Sequence, residues 1–178
     1  ANLETLRGNL SLAESMHREV LDHWHGSVGQ WPQAMSLLGL ANIARRRGDP
    51  ATAAVHLDAA WAMARTRAVP LMRSLALVAR GYTADQQGDA PAALGLQVRA
   101  LAVARSVGSI RATANAVEGL AGALAATGRE DDAEHTARLL GLADAMRRRS
   151  GGVMPAAERF DLDRAERRAR ATLGESAF

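Results

Sequence analysis

An all-α fold of stacked antiparallel helix pairs is what this sequence predicts, on three observations. The first is recurrence at forty residues. The stretches "TLRGNLSLAE", "RRRGDPATAA", "DQQGDAPAAL" and "AATGREDDAE" place Gly8, Gly48, Gly88 and Gly128 in one register, and Ala13, Ala53, Ala93 and Ala133 in another. Repetition at a fixed spacing means that each unit hides its apolar face only by stacking on its neighbours. The second is the near absence of strand signals: aromatic residues make up 3% of the chain, no apolar–polar alternation is sustained, and alanine, leucine and arginine dominate. The third is helix punctuation at the repeated glycines.

Taken in order, residues 10–27 are the second helix of an incomplete first pair, capped by Asn9 after Gly8. Helices over 31–47 and 50–67 meet at Gly48-Asp49-Pro50, where glycine ends one helix, aspartate caps the next, and proline sits at its first position. Asp89 repeats the cap between 70–87 and 90–107. Between 110–127 and 130–149 Arg129 cannot cap, but Glu130, Asp131 and Asp132 put negative charge in the first turn, as the helix dipole favours. Each first helix carries an apolar or small face: Leu37, Leu40, Ala41 and Ala44 recur as Leu77, Arg80, Gly81 and Ala84, then as Val117, Leu120, Ala121 and Leu124. In the second helices Ala53, Leu57 and Ala60 recur as Ala93, Gln97 and Ala100, so small residues face small residues and the paired helices approach closely. A last helix within 154–174 has a stripe of Leu162, Ala165, Ala169 and Leu173, expected to cap the open end of the stack. Its other face interleaves Arg164, Arg167, Arg168 and Arg170 with Glu158, Asp161, Asp163 and Glu166, as expected of a solvated face of i, i+3 and i, i+4 pairs.

With 178 residues, 48% of them apolar, the chain can bury a proper core without staples. Absence of cysteine removes disulfides, thiolate metal sites and cysteine nucleophiles. No stretch is apolar for the ~18 residues a membrane span needs, so the expectation is a soluble, cytoplasmic chain. All 22 basic residues are arginine, yet the net charge is only +3. Thinly spread excess charge argues against nucleic acid, which wants a concentrated basic face. An arginine-only, alanine-rich composition instead suggests a GC-rich, actinobacterial coding bias.

Ala41, Ala44, Gly48 and Ala53 have a spacing that resembles the tetratricopeptide repeat, with second helices lengthened to give a forty-residue unit. The ending "ARLLGLADAMRRRSGGVMPAAERFDLDRAERRARATLGESAF", residues 137–178, resembles the C-terminal repeat region of large actinobacterial regulators of the LuxR-type, MalT-like or AfsR-like kind. The resemblance implies a right-handed superhelical solenoid, with repeats over about 1–29 (partial), 30–69, 70–109 and 110–150 and a capping helix over about 154–174. It further implies a parent with an upstream ATP-binding domain and often a DNA-binding helix-turn-helix. Ala1 falls in the register of Ala41, Gly81 and Ala121, so the expectation is a single repeat domain cut from a larger protein. No G-x-x-x-x-G-K-[ST] loop is present, and without lysine none could be.

No catalytic set stands out. Glu14-x-x-His17 has the spacing of half a carboxylate-bridged di-iron site, but no second copy exists. His23 and His25 flank Trp24 and do not face one another on a helix; Ser150-Gly151-Gly152 is a linker signal. The runs Arg45–Arg47 and Arg147–Arg149 read first as charged last turns of helices. The expectation is therefore no enzyme and no cofactor. Function is assigned to the inner surface that stacking creates, lined by Met35, Leu38, Asn42 and Arg45 from one pair, Leu75, Val78, Tyr82 and Asp85 from the next, and Asn115, Glu118 and Gly122 from the third. An apolar floor with one aromatic ring and a few polar groups suits a peptide, a protein partner or a small effector. It lacks the lysines of a chaperone-type carboxylate clamp, and Leu38 stands at the corresponding position. Arg80, where Leu40 and Leu120 set the pattern, is expected either at the groove edge or as a snorkelling side chain. The favoured function is an interaction or effector-sensing module of a bacterial transcriptional regulator, working beside other domains of its parent. The alternative is a helical segment that contacts nucleic acid or an acidic partner through its arginine runs.

Overall fold

The computed structural model describes residues 9–23, 30–66, 69–151, 154 and 159–174, which contain helix and turn but no strand. Eight helices run through these residues: α1 (Leu10–His23), α2 (Gln30–Arg46), α3 (Pro50–Thr66), α4 (Pro70–Gln86), α5 (Ala90–Val107), α6 (Ile110–Ala125), α7 (Glu130–Arg149) and α8 (Phe160–Leu173). The three predicted pairs are α2 with α3, α4 with α5 and α6 with α7, and their ends agree with the expected ones to within a turn. Ala1, Gly8, Trp24, His25, Gly152 and Glu158 lie outside the described residues.

The turns follow from local chemistry. At Gly48 and Gly88 the backbone is left-handed, φ 78° and 83°, which glycine tolerates because it has no Cβ. The Asp49 amide donates to the Ala44 carbonyl at 2.9 Å and the Gly48 amide to the Arg45 carbonyl at 3.0 Å; Asp89 and Gly88 repeat this on Ala84 and Asp85. These crossed bonds satisfy carbonyls that a helix end leaves over. The same aspartates start the next helix, accepting from the Thr52 and Ala92 amides at 2.9 Å. Gly128 is also left-handed, φ 70°, and Arg129 makes no side-chain cap. Thr127 braces this turn: its hydroxyl donates to Asp132 at 2.6 Å and accepts from the Arg129 amide at 3.3 Å.

Each helix from α1 to α8 packs on the next in sequence, and α2 also touches α4, α4 touches α6, and α6 touches α8. The interfaces are rich in fully buried alanine, such as Ala41, Ala53, Ala60, Ala76 and Ala100. Methyl side chains let helices approach until backbone atoms contribute to the dispersion contacts. The larger side chain that α1, α3 and α5 carry at one register meets a small residue opposite. His17 lies against Gly39, Leu57 packs with Ala41 and Ala79, and Gln97 sits between Gly81 and Gly119. Buried polar side chains cross these interfaces to backbone carbonyls: Gln97 Nε2 donates to Val78 at 3.0 Å, Ser74 to Ala100 at 3.2 Å and Thr136 to Ala121 at 3.1 Å. Such bonds remove the penalty of burying the donors.

The last helix does more than the expected cap. Leu162 and Ala165 do pack on Ala121, Ala125 and Leu140. However, α8 also reaches back over the C-terminal ends of α2 and α4, where Asp161 pairs with Arg45, and Arg164 and Arg168 both pair with Asp85. The predicted solvated face is thus corrected: only part of it pairs locally, as in Arg159 with Asp163 and Glu166. The physical reason is that Asp85 is 5% exposed, and a buried carboxylate is strongly destabilising unless a cation meets it. Among the described residues, no helix is long and apolar enough to cross a membrane.

Candidate functional site

The neighbouring faces of α2, α4 and α6, with Met154 and the first turn of α8 across them, enclose a pocket of about 390 Å³. Of the residues assigned to the inner surface, Met35, Leu38, Asn42, Arg45, Leu75, Val78, Tyr82, Asn115 and Glu118 all line it. They converge because residues forty apart occupy equivalent places on adjacent helices. Asp85 does not line the pocket; it is held beneath α8 by Arg164 and Arg168. Gly122 lies against the Tyr82 ring. The rest of the lining includes Arg46, Arg111, Arg147, Met154, Phe160, Asp161 and Leu162, which the forty-residue pattern did not point to. Glu118, once buried, demands a cation, and Arg147 supplies it.

Two arginine-centred clusters stiffen the walls. Arg45 is 2% exposed; it donates to Gln86 Oε1 and Asn42 Oδ1, each at 3.1 Å, and pairs with Asp161. Gln86 donates back to the Arg45 carbonyl at 3.2 Å, tying the last turn of α4 to that of α2. The Arg45 guanidinium also lies 4.9 Å from the centre of the Tyr82 ring, within range of cation–π attraction. In the second cluster Arg147, from the last turn of α7, pairs with both oxygens of Glu118 and donates to Asn115 Oδ1 at 2.6 Å. Two-pronged pairing of this kind fixes orientation as well as charge. Burial raises the Tyr82 phenol well above its usual pKa, with Asp161 and Glu118 adding to the effect, so the ring carries a neutral hydroxyl. Burial also raises Asp161, against the opposing pull of Arg45. Arg164 is pushed down to about 10 by burial and by the nearby cations Arg168 and Arg45.

The other candidates are placed elsewhere. Glu14 pairs with Arg18 and Arg47, whereas His17 is buried against Gly39 with neither ring nitrogen hydrogen-bonded, so the two do not share a site. Among the described residues, no group of three or more His, Asp or Glu is arranged to hold a metal ion. His23 Nδ1 lies 2.9 Å from the Glu19 carbonyl. Arg80 is not among the residues lining the pocket; it pairs with exposed Asp58 at 2.7 Å and lies 5.9 Å from the Trp61 ring centre. It leaves the buried face toward α3 because a charge there would be unpaired. No protein-family model matches this chain, and neither a curated protein nor a solved structure matches it.

Proposed function

We propose that this chain is a tetratricopeptide-like, right-handed superhelical solenoid that serves as a non-catalytic sensing module, and that an effector binds between α2, α4, α6 and α8. The particular protein we infer is a cytoplasmic bacterial transcriptional regulator of the LuxR-type, MalT-like or AfsR-like kind, of which this is the repeat region. The observation that carries the sensing reading is the pocket itself. Its volume is about 390 Å³, within the size range of small-ligand sites, and it combines an apolar floor with polar and charged side chains that can orient a ligand. Both carboxylates in its lining, Glu118 and Asp161, are engaged by arginines, which suits shape and hydrogen bonding better than proton abstraction. Met154, Phe160 and Leu162 narrow the groove, favouring a small effector over an extended peptide. Because α8 contributes lining and also grips Arg45 and Asp85, an occupied pocket has a direct route to the position of α8, which other domains of the parent would sense.

The arginine runs lend less support to a nucleic-acid contact. Arg45 is buried, Arg47 pairs with Glu14, Arg147 turns into the pocket and Arg148 pairs with Asp144 at 2.6 Å. The sensing reading is tested by a thermal-shift screen of small metabolites on the wild type and on Tyr82→Ala. Hits should raise the wild-type melting temperature and lose most of that effect in the variant, with helicity unchanged by circular dichroism. Arg147→Ala should weaken the same hits, in contrast to Arg148→Ala. Hits that stabilise Tyr82→Ala and Arg147→Ala as well as the wild type would place the binding site outside the pocket.

A further inference from the structure

We infer that the pocket selects a small organic carboxylate with an apolar body, and that Arg111 is the residue that receives its charge. The inference rests on the sensing reading above and names the ligand class of that same site. The first argument is charge. Four arginines (Arg45, Arg46, Arg111 and Arg147) line the pocket against two carboxylates, Glu118 and Asp161. Each carboxylate is matched by one buried arginine, Glu118 by Arg147 and Asp161 by Arg45, and Arg111 adds a positive charge beyond these two pairs, so the local potential attracts an anion. Arg111, in the first turn of α6, is exposed, and its side chain makes no ion pair or hydrogen bond to another described residue.

The second argument is hydrogen-bond polarity. Asn42 Oδ1 accepts from Arg45 and Asn115 Oδ1 accepts from Arg147. Those bonds fix which way each carboxamide points and leave the two amide nitrogens, donors only, as the ends without a described partner. With the Arg111 guanidinium they are donors that remain to meet a ligand, and the neutral Tyr82 hydroxyl can donate as well as accept, so an acceptor-rich head group finds the most partners. A carboxylate has acceptor sites and no donor. The third argument is the floor. Met35, Leu38, Leu75, Val78 and Phe160 line the same space, so the body of the ligand is apolar and its burial supplies the non-directional part of the affinity.

The test uses octanoate, its neutral isostere octanamide and the cation octylammonium, titrated calorimetrically into the wild type, Arg111→Gln, Arg111→Lys and Tyr82→Ala. Octanoate should bind the wild type about tenfold or more tightly than octanamide, and octylammonium should not bind. Arg111→Gln should lower octanoate affinity to that of octanamide while leaving octanamide unchanged, and Arg111→Lys should restore the preference. Octylammonium binding as tightly as octanoate would overturn the anion class, and an undiminished preference in Arg111→Gln would overturn the assignment of the ligand's charge to Arg111. If octanoate and octanamide bind equally and both are lost in Tyr82→Ala, the pocket stands as a site and the ligand class falls. Absence of binding by all three probes, or octanoate binding that survives Tyr82→Ala, overturns this inference, and in the latter case also places the binding outside the pocket.

Discussion

Gln97 shows how a single side chain can set the spacing of helices. Its carboxamide donates to Val78 and fills the room left by Gly81 and Gly119, with Oε1 lacking a hydrogen-bond partner. A methyl at Gly119 would collide with that carboxamide. Gly119→Ala gains about 1 kcal/mol of helix propensity, but overpacking costs about 1–3 kcal/mol, so the expected outcome is net destabilisation. In a Gln97→Ala background the collision is gone and the same change should stabilise. A double-mutant cycle from urea denaturation reads the difference, and additivity would mean that the two residues are not in contact. His17 offers a second prediction. Burial holds its imidazole below the usual pKa, so between that lowered value and about 6.5 the unfolded chain binds a proton that the folded chain does not. Stability is full above about pH 6.5 and declines on acidification. His56, lowered by burial and by Arg18, acts in the same direction. His17→Leu, copying Leu57 at the equivalent place, should flatten the melting temperature between about pH 7 and pH 5; an unchanged slope would assign the dependence to other groups.

Elements in this protein are specified by short-range chemistry and are correspondingly easy to predict. Gly48 and Asp49 carry their turn almost alone, since the left-handed glycine, the crossed amide bonds and the aspartate cap involve residues 44–52 only. The pairing of α2 with α3 depends on small residues: Ala53 is fully buried in a cluster with Ala41, Ala44, Leu57 and Ala60. Ala53→Leu should therefore cost about 1–3 kcal/mol by overpacking. On the same helix Val55 is 69% exposed, and Val55→Ala should stay within about 0.5 kcal/mol. Chemical denaturation of the two variants provides the comparison, and equal effects would mean that α3 packs on a different face. The turn at Gly128 was less legible, because the Thr127 hydroxyl that braces it is a feature of this one copy.

At the scale of the whole molecule, α8 is a crossbar held by charge. Arg45 and Asp85 occupy the same place on α2 and α4 but carry opposite signs, and α8 answers with Asp161 for the first and Arg164 and Arg168 for the second. Ala165 meets Ala121 and Ala125 of α6, so polarity and size both match along the crossing. Asp85→Asn removes the charge that the two arginines share and should cost about 1.5–3 kcal/mol. The loss should be local: hydrogen exchange should accelerate in α8 while α2 to α7 keep their protection. Uniform acceleration would instead show that α8 and the helix pairs unfold as one unit.

Residues in the sequence determine the helices, their turns and the face each presents, because hydrogen bonds between residues four apart and side chains recurring on one helix face are written in contiguous stretches. From this the inner positions of Met35, Leu75, Tyr82, Asn115 and Glu118 followed without coordinates, since equal register on adjacent packed helices places residues together. Tertiary structure alone decided where α8 lands, that Asp85 serves it and does not line the pocket, and that Arg147, Phe160, Asp161 and Leu162 close that pocket. Arg45 and Asp161 stand 116 residues apart, and no periodicity connects them. Their pairing is fixed only when packing has buried a cation and an anion in the same place and each has become the strongest available partner of the other.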